Sequence, residues 1–269
     1  MIHEKYALLD TDFISKMHLI RKDDENHLID RIMEMPNYHF FCHAQVKTEL
    51  LRHNIAGAPQ WLECSLSEGR IVCYNDKEII DELSDIYGNS ATAMYVQLLR
   101  TSCEAYRVGY FEEKFAALQQ LDYIRISKEE FLAELVKSCD LIGEGQNLGE
   151  LKTYVLLQML HLKYGEKIYV FCSDDRNARN GIVSIGGARC ISVLSSFLRL
   201  QKECGFTKEE AEPYIQSFLG FCANSNQTAF RILESARGKR FCKVPCAQVL
   251  AEIFEGKLEE LQTGNLRYL

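Results

Sequence analysis

The sequence predicts an α/β fold in which helices cover both faces of a mostly parallel sheet of about five strands. Short apolar runs alternate along the chain with segments of helical periodicity, and this alternation is typical of parallel sheets. The runs are apolar throughout, as in strands that are buried on both faces. The 269 residues, of which 47% are hydrophobic and 26% charged, suffice for a full core of this kind.

Five apolar runs are predicted strands, and helical patterns lie between them. The strands are predicted at 5–10, 38–44, 69–75, 167–173 and 189–195. A helix is predicted at roughly 23–35, where Pro36 stops it, and another at 45–53. The stretch from about 76 to 140 has no strand character and is predicted to be helical.

The second half of the chain is predicted to be mainly helical. The segment LKTYVLLQMLHLKYG, which follows a glycine-rich loop at 143–150, is apolar nearly all round and is therefore predicted to be a buried helix. After residue 200 the chain is predicted to be helical to its end. Capping boxes, in which side chain and backbone bond reciprocally at a helix start, are expected at Ser127 with Glu130 and at Thr207 with Glu210.

Composition and charge narrow the class of protein. The net charge of −7 argues against nonspecific binding to a nucleic-acid duplex. No apolar run reaches the ~18 residues that cross a membrane, and charges in MIHEKYALLD interrupt the apolar region that a signal peptide needs. The eleven cysteines form no CxxC pair and lie mostly in apolar runs, which favours reduced thiols and a cytoplasmic location.

Acidic side chains follow the predicted strands at one edge of the sheet. In such sheets, ligands bind at the carboxyl ends of strands near the point where strand order reverses. Two carboxylates about 4 Å apart repel by roughly 4 kcal/mol at an effective dielectric constant of 20. A hard divalent cation such as Mg²⁺ or Mn²⁺ relieves that repulsion and can activate water toward a phosphodiester. The acids expected at this edge are Asp10, Asp12, Glu49, Glu150, Asp174 and Asp175.

The adjacent pair Asp174 and Asp175 also has a simpler interpretation. An isolated aspartate pair after a strand is often a solvated loop in which the first carboxylate caps a helix, here Asp174. The other acids are predicted at the same edge of the sheet, and this favours a metal site. In that site the aspartate pair and Asp10 would surround one ion.

Four short motifs resemble a known family. LLDTDFIS, QVKTELL, NLGELKT and FCSDDRNAR occur in this order, at predicted strand ends and helix starts. This pattern is similar to that of the PIN-domain nucleases, metal-dependent ribonucleases that include bacterial toxin nucleases and RNA-processing and decay enzymes. The resemblance covers about 1–75 and 143–200. It implies a Rossmann-type three-layer fold, one or two Mg²⁺ or Mn²⁺ ions and an RNA substrate.

The resemblance also implies roles for individual residues. Asp10, Glu150 and Asp175 would bind metal directly, with Asp174 as an outer or substitute ligand. Glu49 would hold a second ion or orient its waters. The hydroxyls and the remaining acid that would position these carboxylates are Thr11, Ser173 and Asp12.

Basic residues suggest where an RNA strand would lie. Arg176 and Arg179 follow the aspartate pair and are candidates for gripping phosphates, or else for balancing those acids. Arg237, Lys239 and Arg240 would extend the track. A homodimer or an inhibitory protein partner are further expectations at the level of the family.

The chain departs from the family pattern in length. We expect a nuclease domain at 1–200 that carries a helical insertion at about 76–140, followed by a helical extension at 201–269. The third acid varies among relatives, so Glu144 and Asp140 are fallback candidates for Glu150.

Two other functions remain open. A phosphatase of the haloacid-dehalogenase type would use Asp10 as nucleophile and Asp12 as acid and base, but it lacks a role for Glu49 or Glu150. Alternatively, the domain is an inactive PIN-like module that binds RNA or protein. The tyrosines at 87, 95, 106 and 110 have helical spacing and are predicted to pack, with base stacking as the alternative.

Overall fold

Five parallel strands form the central sheet. The computed structural model describes residues 4–53, 55, 57–143, 147–175, 178–179, 188–234 and 240–255, with the backbone alone described at 231–234 and 240–242. The predicted α/β class with about five mostly parallel strands is confirmed. The strands are β1 (Lys5–Leu9), β2 (Tyr38–His43), β3 (Ile71–Tyr74), β4 (Ile168–Cys172) and β5 (Ala188–Ile191).

The strand order places a switch point between β1 and β4. The order across the sheet is β3-β2-β1-β4-β5, and each neighbouring pair is parallel. From β1 the chain moves outward to β2 and β3, and it then returns to β4 on the other side of β1. Leu9 is the register partner of Cys172, so β1 and β4 end side by side. This is the position at which open parallel sheets bind ligands.

Both faces of the sheet are buried at the central strands β1, β2 and β4, which explains why these runs are largely apolar. Ala7 and Leu9 of β1 pack into one core, whereas Tyr6 and Leu8 pack into the other. Because successive side chains of a strand point to opposite faces, a strand between two helical layers needs apolar residues at every position.

Twelve helices are described, with two short 3-10 turns at Gly88–Ser90 and Leu118–Gln120. The predicted helical stretch 76–140 contains four of them. The capping boxes expected at Ser127 and Thr207 are both present. The helices are α1 (Thr11–Leu19), α2 (Leu28–Met33), α3 (Ala44–His53), α4 (Ala58–Ser67), α5 (Asp76–Tyr87), α6 (Ala91–Tyr106), α7 (Tyr110–Glu113), α8 (Lys128–Asp140), α9 (Leu148–Tyr164), α10 (Val193–Cys204), α11 (Lys208–Asn224) and α12 (Cys246–Phe254).

The helices divide between the two faces. Buried residues of α1 to α4 and of α10 to α12 form one core with the sheet, and those of α5 to α9 form the other. The helices after residue 200 therefore share a core with the sheet. The boundary expected at that residue stays a prediction.

The helix predicted at 23–35 is wrong in its extent. Helix α1 begins directly after Asp10, and α2 begins only at Leu28. Between them the carboxylate of Asp23 accepts hydrogen bonds from the backbone N–H groups of Glu25 and Asn26, at 3.0 and 2.9 Å. Such local bonds compete with helix formation, and they break the predicted helix.

The prediction that the chain is helical from residue 200 to its end is also wrong. Strands β6 (Ala229–Glu234) and β7 (Arg240–Pro245) form an antiparallel pair between α11 and α12. The segments AFRILE and RFCKVP each contain one aromatic and one β-branched residue, which are residue types that favour strands.

Two further findings concern the class of protein. Across the described residues, no helix is both long and apolar enough to span a bilayer. The ten cysteines whose side chains are described are all free thiols.

Candidate functional site

Asp10 lies at the switch point with its carboxylate buried. It follows β1, its backbone N–H donates to the Cys172 carbonyl at 3.0 Å, and the residue is only 2% exposed. Its Oδ1 accepts a hydrogen bond from the Thr11 backbone N–H, and its Oδ2 accepts one from the Ser173 hydroxyl, each at 2.8 Å. Both donors are neutral, so the hydrogen bonds orient the carboxylate without compensating its charge.

Glu49 joins the site from α3. The Thr11 hydroxyl donates to Glu49 Oε2 at 2.7 Å, which ties α3 to the start of α1. A Cβ atom at Gly149 would lie 2.5 Å from the same oxygen. A larger residue here would displace the Glu49 carboxylate, so glycine lets the first turn of α9 approach Glu49 in this position, and that approach brings the next residue, Glu150, to the site.

Burial and the negative charges of neighbouring acids raise the pKa values of two acids in the cluster. Burial, then the charges of Glu150 and Asp12, raise the pKa of Asp10 well above its ordinary value. Burial, then mainly the charges of Glu49, Asp175 and Asp12, raise the pKa of Glu150 to about 7. Five acids from four segments of the chain thus lie close enough to share one electrostatic environment.

The two adjacent aspartates have different environments. Asp174 Oδ2 accepts from Lys16 Nζ at 2.9 Å, and its Oδ1 accepts from the Val193 backbone N–H at 3.2 Å. Asp175 Oδ1 accepts from the Ala178 backbone N–H at 2.8 Å. The simpler interpretation predicted that Asp174 makes the local capping hydrogen bond. In the structure, Asp175 makes it instead.

Lys16 partly neutralises the outer side of the cluster. It bonds Asp12 and Asp174, each at 2.9 Å. Although burial alone would lower the pKa of Lys16, the charges of Asp174 and Asp12 raise it. Within the described ranges, no lysine or arginine forms an ion pair with Asp10, Glu49 or Glu150.

Arg179 is placed internally rather than on an RNA-facing surface. It is 8% exposed, and its Nη1 donates to the Ser173 carbonyl at 2.8 Å and lies 3.9 Å from Asp174 Oδ1. These contacts fit the expectation that Arg179 balances the charge of the neighbouring acids. They do not fit a surface residue that grips phosphates. Arg176, Arg237 and Lys239, the side chain of Arg240 and the fallback acid Glu144 lie outside the described residues.

A second buried network next to the acids was not anticipated from the sequence. Lys152, two residues after Glu150 in α9, is 2% exposed and donates to Asp76 Oδ1 at 2.8 Å and to the Tyr95 hydroxyl at 2.9 Å. The Tyr95 hydroxyl and His43 also face Asp76, with His43 Nε2 at 3.3 Å. Although burial alone would raise the pKa of Asp76, Lys152 and His43 hold it far below its ordinary value.

This network fixes the start of α9 to the ends of β2 and β3. His43 ends β2 and Asp76 opens α5 after β3, so Lys152, Asp76 and His43 together join α9, α5 and β2. The signal in the sequence is the single lysine in the largely apolar segment LGELKTYVLLQML of α9.

The donor set fits a hard divalent cation in chemistry. Carboxylate oxygens are the ligands that Mg²⁺ and Mn²⁺ prefer, and the mutual repulsion of Asp10 and Glu150 is what such an ion would relieve. In the described ranges no three His, Cys, Asp or Glu side chains are already arranged as a ligand group. The carboxylates would therefore close around an ion from positions held now by hydrogen bonds.

Comparison of the chain with family models, curated proteins and solved structures found no match.

Glu150 predicts how stability depends on pH. Its pKa of about 7 in the folded protein exceeds the ordinary value of 4.5, so between these values the folded state keeps a proton that the unfolded state releases. Its contribution to stability is complete below about pH 4.5 and is lost as the pH rises to 7. In the absence of metal, we expect the free energy of unfolding, measured with urea, to fall over this pH range in the native chain. The fall should be less steep in Glu150→Gln. If the free energy of unfolding fell equally steeply with pH in both chains, the raised pKa of Glu150 would be contradicted.

Truncation of the Lys152 side chain is expected to cause a large loss of stability. Lys152→Met leaves the partly buried Asp76 carboxylate without its lysine partner, and breaking a fully buried pair, the upper bound here, costs about 3–5 kcal/mol. The matched control is Lys163→Met in the same helix, where the partly exposed pair with Glu82 is worth at most about 1 kcal/mol. Urea denaturation measures both losses, and similar losses in the two variants would show that the buried pair has no special weight.

Proposed function

We propose that this protein is a divalent-metal-dependent ribonuclease that hydrolyses phosphodiester bonds of RNA at the acidic cluster. The observation that carries the proposal is the burial of Asp10 beside Glu150, with pKa values raised by burial and by each other's charge, while no described cation pairs with either. A divalent ion supplies the charge that such a site lacks. The location at the β1/β4 switch point supports a ligand-binding role.

The proposed ligands are Asp10, Glu150 and Asp175. Glu49 accepts from the Thr11 hydroxyl and its charge acts on Glu150, so it would orient a water or hold a second ion. Asp174 is paired with Lys16 and is therefore less available as a ligand. When bound, a divalent ion would activate water and stabilise the leaving oxygen of the phosphodiester.

The chain's own residues would prepare the site for that chemistry. Ser173 donates to Asp10 and accepts from the Asp175 backbone N–H at 3.1 Å, so one hydroxyl positions two proposed ligands. Lys16 keeps Asp12 and Asp174 paired on the outer side of the cluster. Neither Asp10 nor Glu150 pairs with a lysine or arginine in the described ranges, so their charge is left for an ion to compensate.

RNA as the substrate rests on the similarity of four motifs to those of the PIN-domain nucleases. The order of those motifs corresponds to the order in which the fold uses them: Asp10 after β1, Glu49 on α3, Glu150 on α9 and Asp175 after β4. The free thiols support a reducing compartment such as the cytoplasm.

An inactive PIN-like module is the second candidate. The observation that favours it is that the described side chains hold no preformed group of three metal ligands. In such a module the hydrogen bonds within the cluster would be the final state of the carboxylates.

Substitution of Asp10 tests the nuclease proposal. We expect Mn²⁺-dependent cleavage of single-stranded RNA by the native chain, and a loss of at least about 100-fold in Asp10→Asn, because a ligand charge is removed. The thermal midpoint of that variant should be unchanged or higher, since buried repulsion is relieved. The control is Asp85→Asn, an exposed aspartate of α5, which should cleave like the native chain.

The same assay separates the alternatives. A native preparation that hydrolyses an aryl phosphate but no RNA indicates the phosphatase, and undiminished RNA cleavage by Asp10→Asn rules out the assigned mechanism.

Metal binding is predicted to stabilise the folded chain. An ion that binds only the folded state at about 100 times its dissociation constant adds about 2.7 kcal/mol. We expect millimolar Mn²⁺ to raise the melting temperature of the native chain, and EDTA to reverse the shift. Glu150→Gln should reduce the shift and Asp85→Asn should keep it. An absent shift in the native chain would favour the inactive module.

A further inference from the structure

The helical insertion brings one unsatisfied polar group to the acidic cluster. Tyr106 is the last residue of α6, and its hydroxyl oxygen is buried with no hydrogen-bond partner among the described residues. A buried hydroxyl without a partner costs free energy, so native structures rarely retain one without a reason.

Asp10 and Glu150 both act on this hydroxyl. Burial first, and then the charges of Asp10 and Glu150, raise the pKa of Tyr106, which keeps the hydroxyl protonated. The hydroxyl is nevertheless not hydrogen-bonded to either carboxylate. Two negatively charged groups thus act on a protonated donor that has no hydrogen-bond partner of its own among the described residues.

The ring of Tyr106 is held in place from two directions. Helix α6 ends at this residue, since Arg107 adopts a left-handed conformation with φ of 55° and closes the helix. The ring meets Tyr154 of α9 edge to face, with centroids 6.3 Å apart and planes at 89°. Because α9 also carries Glu150, the tyrosine and the acid are fixed to the same helix.

We propose that the Tyr106 hydroxyl donates a hydrogen bond to a non-bridging oxygen of the scissile phosphate. This inference rests on the proposed nuclease function and extends it to the insertion. A phosphate oxygen is an acceptor that the hydroxyl lacks among its protein neighbours, and the divalent ion would bring that phosphate next to Asp10 and Glu150. Tyr106 thus becomes a substrate-binding residue that lies outside the motifs shared with the PIN-domain nucleases.

Removal of the hydroxyl alone tests the proposal. Tyr106→Phe keeps the ring, and the matched control Tyr154→Phe removes the other hydroxyl of the same ring pair. Binding of a short single-stranded RNA is measured by fluorescence anisotropy with Ca²⁺ in place of Mn²⁺. Since hydrogen bonds to charged groups are the stronger class, we expect Tyr106→Phe to weaken binding about tenfold and Tyr154→Phe to leave it unchanged. The melting temperature of Tyr106→Phe should equal or exceed that of the native chain.

Cleavage of phosphorothioate RNA adds a readout that a merely structural role would not change. In this RNA, sulfur replaces one non-bridging oxygen at the cleavage site, which gives two diastereomers. For one of them, the substitution should reduce the cleavage rate of the native chain more than that of Tyr106→Phe. The shift in melting temperature with Mn²⁺ should be the same in both chains, because the hydroxyl is not a metal ligand.

The outcomes separate this inference from the proposed function. Native RNA binding and native sulfur effects in Tyr106→Phe would overturn the role of Tyr106 and leave the nuclease intact. A reduced Mn²⁺ shift in that variant would overturn the contact with phosphate, since the hydroxyl would then act through the ion. A native chain that neither gains stability with Mn²⁺ nor cleaves RNA would overturn both.

Discussion

The burial of Asp10 beside Glu150 is the constraint on which the rest of the structure depends. Two carboxylates in a shared low-dielectric environment repel each other, and the described protein supplies neither of them with a cation. Neutral donors hold Asp10 in place, while Lys16 neutralises only the outer aspartates. A stable protein retains such an arrangement when a ligand or a proton compensates the charge, and this requirement links the fold to the proposed metal chemistry.

The fold imposes that proximity through a few contacts. The parallel register of β1 and β4 brings Asp10 and Ser173 side by side, and Gly149 lets α9 approach Glu49. The pair of Lys152 and Asp76 then fixes the start of α9 to α5, and His43 links Asp76 to the end of β2. Each contact joins segments far apart in the sequence, so the site is a product of the tertiary structure.

Much of this arrangement follows from the sequence because strand ends are visible in it. An apolar run that stops at an acid marks both a strand and its carboxyl edge, which is how Asp10 and Asp175 were found. Pairwise contacts are not visible in the same way. The pairing of Lys152 with Asp76, the inward turn of Arg179 and the different environments of Asp174 and Asp175 depend on packing between distant elements. The antiparallel β6–β7 pair was missed because its short strands lie among helical patterns.

The central claim is that acids from separate segments meet around one ion. Crystals of the native chain soaked in Mn²⁺ test this directly, because anomalous scattering locates the metal. We predict an anomalous peak at the carboxyl ends of β1 and β4, with carboxylate oxygens of Asp10 and Glu150 both at about 2.1–2.2 Å from the ion. A fully soaked crystal with no peak at that position, or with an ion bound by only one of these two residues, would contradict the account.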